Sequence, residues 1–96
     1  MLENKFKTQL IKKIKSRFPD SIVIHLSGND IQGIPDLLIL YGKRWAALEG
    51  KKSIDSHRQP NQEFYISKMN EMSYASFVSP ENEDEVLNDI QQSFES

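Results

Sequence analysis

The sequence of 96 residues has no cysteine and only two histidines. Without cysteine the chain forms no disulfide bond and no thiolate metal site, and two histidines alone do not favour a structural zinc site. No stretch is long or apolar enough to span a membrane, so we expect no membrane partner. The first residues, MLENKFK, lack the apolar run of a signal peptide, and we therefore expect the protein in the cytoplasm.

Glycine and proline are few, at four residues each, and no low-complexity run or internal repeat occurs. Hydrophobic residues make up 38% of the chain and charged residues 27%, which is ordinary for a folded protein and argues against disorder. A chain of this length can bury one modest core. We therefore expect a single domain over residues 1–96.

The net charge of −2 conceals an uneven distribution along the chain. Residues 1–68 hold twelve Lys and Arg against seven Asp and Glu, whereas residues 69–96 hold seven acids and no Lys or Arg. This asymmetry favours a basic surface that binds phosphates and a solvated acidic helix at the end of the sequence. An ordinary mixed surface is the alternative, because halves of a sequence need not become halves of a structure.

Apolar periodicity predicts seven elements in the order αβββαβα. Both faces of the central hairpin are apolar, which is typical of inner strands covered on both sides, and Trp45 is expected in this core. The predicted class is therefore α/β. The predicted helices cover residues 3–17, residues 60–72 and a segment from Ser79-Pro80 to Phe94, and the predicted strands cover residues 22–26, 36–41, 44–50 and 74–78.

A two-residue turn at Gly42-Lys43 joins the two central strands and sets their register. In this register Asp36 faces Glu49, and Lys51 projects from the same face because strand side chains alternate. Opposed carboxylates repel each other, but a divalent cation such as Mg²⁺ reverses that cost because it prefers carboxylate, carbonyl and water oxygens. The main chain between Glu49 and Lys51 adds a candidate carbonyl ligand.

This arrangement suits phosphodiester hydrolysis, in which a metal ion lowers the pKa of water and neutralises charge on the phosphate. The ammonium of Lys51 would then lie beside the activated water. The alternative is structural: Asp36 caps its strand, and Glu49 and Lys51 form an exposed pair at the strand edge.

Gly33-Ile34-Pro35-Asp36, followed by Glu49-Gly50-Lys51, resembles the PD-(D/E)XK nuclease superfamily, and specifically its VRR-NUC branch. The resemblance extends over nearly the whole chain, since Glu3 matches the first-helix acid and Gln59-Pro60-Asn61-Gln62 is similar to the segment with the later glutamine. It implies a restriction-endonuclease-like fold, with a mixed central β-sheet flanked by helices, and a nuclease that depends on Mg²⁺ or Mn²⁺. Gly50 departs from the family pattern, which more often has an apolar residue there.

The resemblance implies roles for the residues of the strand pair. Asp36, Glu49 and the main-chain carbonyl of Gly50 would hold the metal ion. Lys51 would orient or activate the attacking water.

Two residues outside the strands complete the implied catalytic set. Glu3 would contact the metal ion through a water molecule, and Gln62 would bind the phosphate or a metal-bound water. From the residues alone, Glu3 could instead cap its helix, where the helix dipole favours an acid, and Gln62 could be a plain surface residue.

Basic residues predict where DNA would bind. Lys52, His57 and Arg58 follow the Glu-Gly-Lys triplet in a polar loop that could contact phosphates, and Lys12 on the first helix could touch the DNA backbone. A simple connecting loop and a solvated helix face are the alternatives. His25 is expected to be a half-buried strand residue rather than a catalytic base.

The resemblance also bears on substrate and assembly. Small stand-alone phage and bacterial members of the family resemble four-way (Holliday) junction resolvases, and for a phage-encoded chain the location would be the host cytoplasm. We expect a homodimer that cuts branched DNA, because a domain of this size has no appended module to recognise a substrate. The alternatives are a monomeric flap or end-processing nuclease and a non-catalytic DNA-binding or protein-interaction module on the same fold.

Overall fold

The seven elements follow the predicted order, αβββαβα, in the computed structural model of the chain. The structure describes residues 2–26 and 30–96, with side chains described from Lys5 onward. No helix in these two ranges combines the length and apolar character that crossing a membrane requires. The elements are α1 (Leu2–Arg17), β1 (Ile22–His25), β2 (Leu37–Tyr41), β3 (Arg44–Gly50), α2 (Pro60–Met72), β4 (Tyr74–Val78) and α3 (Glu83–Glu95).

The four strands form one mixed sheet in the order β1-β2-β3-β4. β1 pairs with β2 and β2 with β3 in antiparallel fashion, whereas β3 and β4 run parallel. A parallel pair needs a crossover connection, and α2 supplies it. The predicted α/β class, with a mixed central sheet flanked by helices, is confirmed.

A tight turn at Gly42-Lys43 connects β2 to β3, as predicted. Gly42 has a φ of 59°, and every described residue with positive φ is a glycine. Positive φ at the first turn position alone is typical of a type II′ turn, whose twist matches that of the strands. The turn sets the predicted register, in which Tyr41 lies opposite Arg44.

Helices cover both faces of the sheet, as the two-sided apolar pattern predicts. On one face, side chains of β2 and β3 pack with α1 and α3, and Leu10, Ile14 and Ile90 are fully buried there. On the other face, Ile66 of α2 packs against β3 and β4, and Trp45 is partly buried against the same cluster. Three layers result, with the sheet in the middle.

α1 presents one apolar stripe to the sheet because Phe6, Leu10, Ile14 and Phe18 recur every four residues and are all buried. The helix ends at Arg17, before a proline that a helix interior would not tolerate. The stripe determines the rotation of α1, and with it the direction of the side chains on either flank.

The start of α3 differs from the prediction, because the helix begins at Glu83 and not at Ser79-Pro80. The side chain of Asn82 holds the preceding residues in a turn. Its Oδ1 accepts the Ser79 N–H at 2.7 Å, and its Nδ2 donates to the Phe77 carbonyl at 3.2 Å. The residues of the predicted inner stripe of α3 are all buried: Val86, Leu87, Ile90 and Phe94.

Polar contacts join α1 to α3. Lys13 forms an ion pair with the buried Glu83, and this hydrogen bond raises the pKa of Lys13. The Arg17 guanidinium donates to Gln91 Oε1 at 2.8 Å and to Asn88 Oδ1 at 2.5 Å. Part of the basic first half of the chain therefore meets the acidic last helix within the molecule.

The loop before β2 touches the start of α2 at Gly33. This residue has a φ of 89°, and a Cβ added to it would lie 2.6 Å from the carbonyl carbon of Asn61 and 2.7 Å from the oxygen. Gly42 also has positive φ, yet a Cβ there would meet nothing within 4 Å. A side chain at either glycine would therefore be strained by the positive φ, but only at Gly33 would it also overlap with a neighbouring backbone.

Gly33→Ala should therefore destabilise the protein more than Gly42→Ala. An alanine in the left-handed region costs about 1–2 kcal/mol, which applies to both variants. Overlap with the backbone of α2 adds about 1–3 kcal/mol for Gly33→Ala alone. Urea denaturation of both variants beside the wild type measures the difference, and equal losses of unfolding free energy would contradict the close approach of Gly33 to Asn61.

Candidate active site

Asp36 and Glu49 meet where β2 begins and β3 ends. β2 starts at Leu37, one residue later than predicted, and Leu37 pairs with Leu48. The next position along this register places Asp36 opposite Glu49, as predicted. Glu49 is only 7% exposed, and Asp36 is half-buried. Two carboxyl groups therefore share one end of an apolar sheet.

Pro35 and Gly50 open the strand pair beyond these carboxyl groups. In the same register Pro35 follows as the partner of Gly50, and proline has no N–H to donate to the Gly50 carbonyl. The N–H of Gly50 donates instead to Asp36 Oδ2, at 3.1 Å. Because the N–H and C=O of one strand residue point to the same side, the Gly50 carbonyl is directed toward Asp36, where the resemblance implies a metal ligand.

The surroundings of Glu49 disfavour its charge. Burial, and after it the charge of Asp36, raises the pKa of Glu49 from 4.5 to about 7, against the opposing effects of Lys51 and Lys7. Two carboxyl groups held this close in a dry place are unfavourable unless a proton or a cation lies between them. The pair therefore favours either a proton on Glu49 or a bound cation.

Gln62 links the two sides of the site from the first turn of α2. Its Nε2 donates to Glu49 Oε2 at 3.4 Å, and its Oε1 accepts from Lys51 Nζ at 2.9 Å. Oε1 also accepts the N–H of Gln59 at 3.0 Å, as part of the capping box that begins α2. The contact that starts the helix thus orients Gln62. The structure brings Asp36, Glu49, Lys51 and Gln62 together, and their catalytic roles stay predictions.

Lys7 is a member of this cluster that the sequence pattern did not reveal. Its Nζ lies 2.8 Å from Asp36 Oδ2. Its stem passes Gly50, where an added Cβ would lie 3.0 Å from Lys7 Cε and 3.3 Å from Cγ. The departure from the family pattern at Gly50 therefore makes room for this lysine. The signal in the sequence is weak: Lys7 directly follows Phe6 of the buried stripe, and position 50 carries no side chain.

A cleft of about 600 Å³ opens between α1 and the strand ends at His25 and Asp36. Its lining includes Lys12, one of the predicted DNA contacts. His25 is exposed and not half-buried as predicted, because it ends the edge strand of the sheet. We name this feature the α1 cleft, and its lining residues are Lys7, Thr8, Ile11, Lys12, Lys15, His25 and Asp36.

The other three predicted DNA contacts lie in the loop between β3 and α2. Lys52 and His57 are exposed, whereas Arg58 is half-buried. The Arg58 guanidinium stacks on the ring of Phe77, with its central carbon 4.1 Å from the ring centroid. Phe77 is the β4 partner of Glu49, so the stack lies on the same face of the sheet as the carboxyl pair. Arg58 is thus held in place before any ligand binds.

The ligand set fits a hard divalent cation. Two carboxylates and a main-chain carbonyl, completed by water, are oxygen donors of the kind that Mg²⁺ takes. Within the described ranges no group of three His, Cys, Asp or Glu side chains could hold a metal ion, so a cation at this site would have two side-chain carboxylate ligands, Asp36 and Glu49. The side chain of Glu3 lies outside the described residues, and its water-mediated contact stays a prediction.

The pKa of Glu49 makes the stability of the metal-free protein depend on pH. The folded state binds this proton more tightly than the unfolded chain, so the free energy of unfolding should fall as the pH rises from 4.5 through about 7. A pKa difference of this size corresponds to about 3 kcal/mol. Glu49→Gln, which stays neutral at every pH, should lack this loss and should be more stable than the wild type at high pH.

Urea denaturation in EDTA, once in mildly acidic and once in mildly basic buffer, measures the effect. The difference between Glu49→Gln and the wild type removes the contributions of the histidines and of the other groups that both proteins share. Equal pH dependence in the two proteins would contradict a buried Glu49 with a raised pKa.

Two solved structures share the fold of this chain. One, named "VRR_NUC domain", matches with a TM-score of 0.63 and 24% sequence identity, covering 84% of this chain and 92% of that one. Another, named "VRR_NUC domain protein", matches with a TM-score of 0.67 and 21% identity, covering 99% of this chain and 89% of that one. No protein-family model matches the sequence, and no curated protein does. The chain therefore has the fold of a VRR_NUC domain, as the resemblance implied.

Proposed function

We propose that this chain, which has the VRR_NUC fold, is a nuclease that hydrolyses DNA phosphodiester bonds with Mg²⁺ or Mn²⁺. The observation that carries the proposal is the meeting of Asp36, Glu49 and Lys51 at one end of the sheet, with Glu49 almost fully buried. Burying one carboxyl group beside another brings no structural benefit of its own, because each charge disfavours the other. A site built to hold a divalent cation explains the arrangement.

Asp36, Glu49 and the Gly50 carbonyl would hold the cation. When bound, the cation lowers the pKa of a coordinated water and neutralises charge that develops on the phosphate. The Gly50 N–H keeps Asp36 Oδ2 in position at 3.1 Å, and Gln62 does the same for Glu49 at 3.4 Å. Contacts of this kind orient metal ligands. Glu3 would add a water-mediated contact from the start of α1.

Lys51 supplies a compact positive charge next to the carboxyl pair. Its ammonium donates to Gln62 Oε1 at 2.9 Å, and an ammonium group has three N–H donors in all. The donors beyond this contact serve an attacking water or a phosphate oxygen. In this role Gln62 positions the ammonium, and Lys51 orients the water and stabilises the charge of the transition state.

The basic side chains that would contact DNA lie in two places near the site, the loop between β3 and α2 and helix α1. Lys52, His57 and Arg58 lie after the end of β3, and Lys12 lies on α1. Stacking on Phe77 pre-orients the Arg58 guanidinium, whose planar fork matches phosphate geometry. In the proposed complex, DNA crosses the site with backbone contacts to both groups of residues.

Replacing the catalytic residues should stop cleavage without stopping DNA binding. Asp36→Asn should abolish hydrolysis, and EDTA should abolish hydrolysis by the wild type, because both treatments remove the cation. Lys51→Met should lower the rate about 100-fold to 1,000-fold, the usual effect of losing one group that stabilises the transition state. Cleavage assays with Mg²⁺ or Mn²⁺, and DNA binding with Ca²⁺, measure the two properties separately.

Lys43→Met is the matched control, since it removes the same charge from the hairpin turn at the opposite end of β2 and β3. Its cleavage rate should equal that of the wild type. Undiminished cleavage by Asp36→Asn, or in excess EDTA, would overturn the proposed metal site. A loss confined to DNA affinity in Lys51→Met would reassign Lys51 to backbone binding.

We also propose that the protein acts as a homodimer on branched DNA, such as a four-way junction. α2 lies against β3 and β4, and on the edge strand β1 Ile22 is 60% exposed and Ile24 37% exposed. An apolar edge strand is suited to pairing with another chain. A two-fold dimer would carry two copies of the site in symmetric positions, which matches the paired cuts that a symmetric junction requires.

Ile22→Glu should convert the dimer to a monomer, because it introduces a charge into the apolar contact. Ile54→Glu is the matched control, since Ile54 is 49% exposed but lies in the loop after β3. Light scattering should give twice the chain mass of 11.1 kDa for the wild type and for Ile54→Glu. Paired, symmetric nicks in a labelled junction should accompany the dimer. A monomeric wild type that cuts flaps faster than junctions would overturn this proposal and favour the monomeric nuclease.

A further inference from the structure

Lys7 contacts the carboxyl pair and also lines the α1 cleft. Its Nζ lies 2.8 Å from Asp36 Oδ2, and the two side chains are 25% and 28% exposed. Both residues also line the α1 cleft, which therefore opens directly onto one of the proposed metal ligands. The cleft and Asp36, one member of the carboxyl pair, are therefore parts of one continuous surface.

Gly50 is what lets Lys7 reach this position. A Cβ at position 50 would lie 3.0 Å from Lys7 Cε and 3.3 Å from Cγ, so a side chain there would press the lysine stem aside. The same Cβ would lie 3.7 Å from Asp36 Oδ2, which is an ordinary contact. A substitution at Gly50 therefore disturbs the lysine before it disturbs the carboxylate.

Four charged groups balance one another in this part of the molecule. Asp36 and Glu49 carry two negative charges when ionised, and Lys7 and Lys51 carry two positive ones. A divalent cation on the carboxylates leaves an excess of two positive charges. Lys51 is held by Gln62 at 2.9 Å, whereas Lys7 is held by Asp36 itself, the group that the cation takes over. Lys7 is therefore the positive group whose contact a bound cation would weaken most.

The α1 cleft offers Lys7 a new partner when an anion enters it. Lys12 and Lys15 are exposed along the same helix and line the cleft. Eight residues separate Lys7 from Lys15, which is about 12 Å along the helix axis. Three ammonium groups spread over this length suit several phosphates in a row better than one small anion. The volume of about 600 Å³ is large enough for part of a nucleic-acid strand.

We propose that the α1 cleft binds phosphates of the substrate strand beside the scissile bond, and that Lys7 transfers from Asp36 to one of these phosphates when the divalent cation binds. This role rests on the proposed function and adds a strand path and a positioning residue to it. Metal binding and DNA binding then strengthen each other, because the phosphate compensates the positive charge that the cation brings.

Calorimetric titration with Mn²⁺ in the absence of DNA tests the contact between Lys7 and Asp36. Lys7→Met keeps an apolar stem but removes the competing charge, and it should bind Mn²⁺ about ten-fold more tightly than the wild type. Gly50→Ala keeps every charge and presses the stem aside, so it should also bind more tightly. Lys12→Met, with the same change of charge in the α1 cleft, should stay within about two-fold of the wild type because solvent and salt screen its charge.

The salt dependence of DNA affinity tests the α1 cleft itself. The probe is a short duplex in the presence of Ca²⁺. The plot of log affinity against log salt has a negative slope, and this slope becomes shallower by about 0.9 for each phosphate that the protein no longer neutralises. Lys12→Met and Lys15→Met should each show this change, and the control Lys43→Met should not. Lys7→Met should show it with Ca²⁺ but not in EDTA, where Asp36 still holds the ammonium.

Unchanged slopes for Lys12→Met and Lys15→Met would overturn the strand path. A Mn²⁺ affinity of Lys7→Met at or below that of the wild type would overturn the role of Lys7. Neither result touches the proposed function, which Asp36→Ala tests through loss of Mn²⁺ binding. Retained Mn²⁺ binding in Asp36→Ala would overturn the proposed metal site and the role of Lys7 together.

Discussion

The burial of Glu49 beside Asp36 is the constraint on which the rest of the site depends. The two carboxyl groups meet because the turn at Gly42 sets the β2–β3 register, and strand alternation carries that register to the other end of the pair. The apolar sheet provides the dry surroundings that raise the pKa of Glu49. The polar groups gathered there offset this unfavourable charge, either as counter-ions or as hydrogen-bond donors.

Helices from both faces of the sheet deliver those groups in different ways. On the α2 side, the close approach of Gly33 to Asn61 ties the loop before β2 to the helix that carries Gln62. On the α1 side, the connection among the described side chains is the ion pair between Lys7 and Asp36. One flank of the site is thus fixed by backbone packing, whereas the other is fixed by a contact between two side chains.

The hairpin and the element order could be predicted because turn chemistry and strand alternation act over a few residues. The facing of the two carboxyl groups follows from the turn at Gly42-Lys43. The start of α3 could not be predicted, because Asn82 takes the Ser79 N–H through a side-chain hydrogen bond that periodicity does not show. The position of Lys7 could not be predicted for a longer-range reason, since its contact depends on how α1 packs across Gly50, far away in the sequence.

Pro35 interrupts the hydrogen bonding between the two central strands where the carboxyl groups meet. A residue with an N–H at that position could donate to the Gly50 carbonyl, which would continue the strand ladder and bring the two strands closer together. The folded state would gain a hydrogen bond worth about 1 kcal/mol. The Gly50 carbonyl oxygen would then be engaged in the sheet and could not bind another group. The proline therefore lowers the stability of the sheet slightly and leaves the strand ladder incomplete beside the two carboxyl groups.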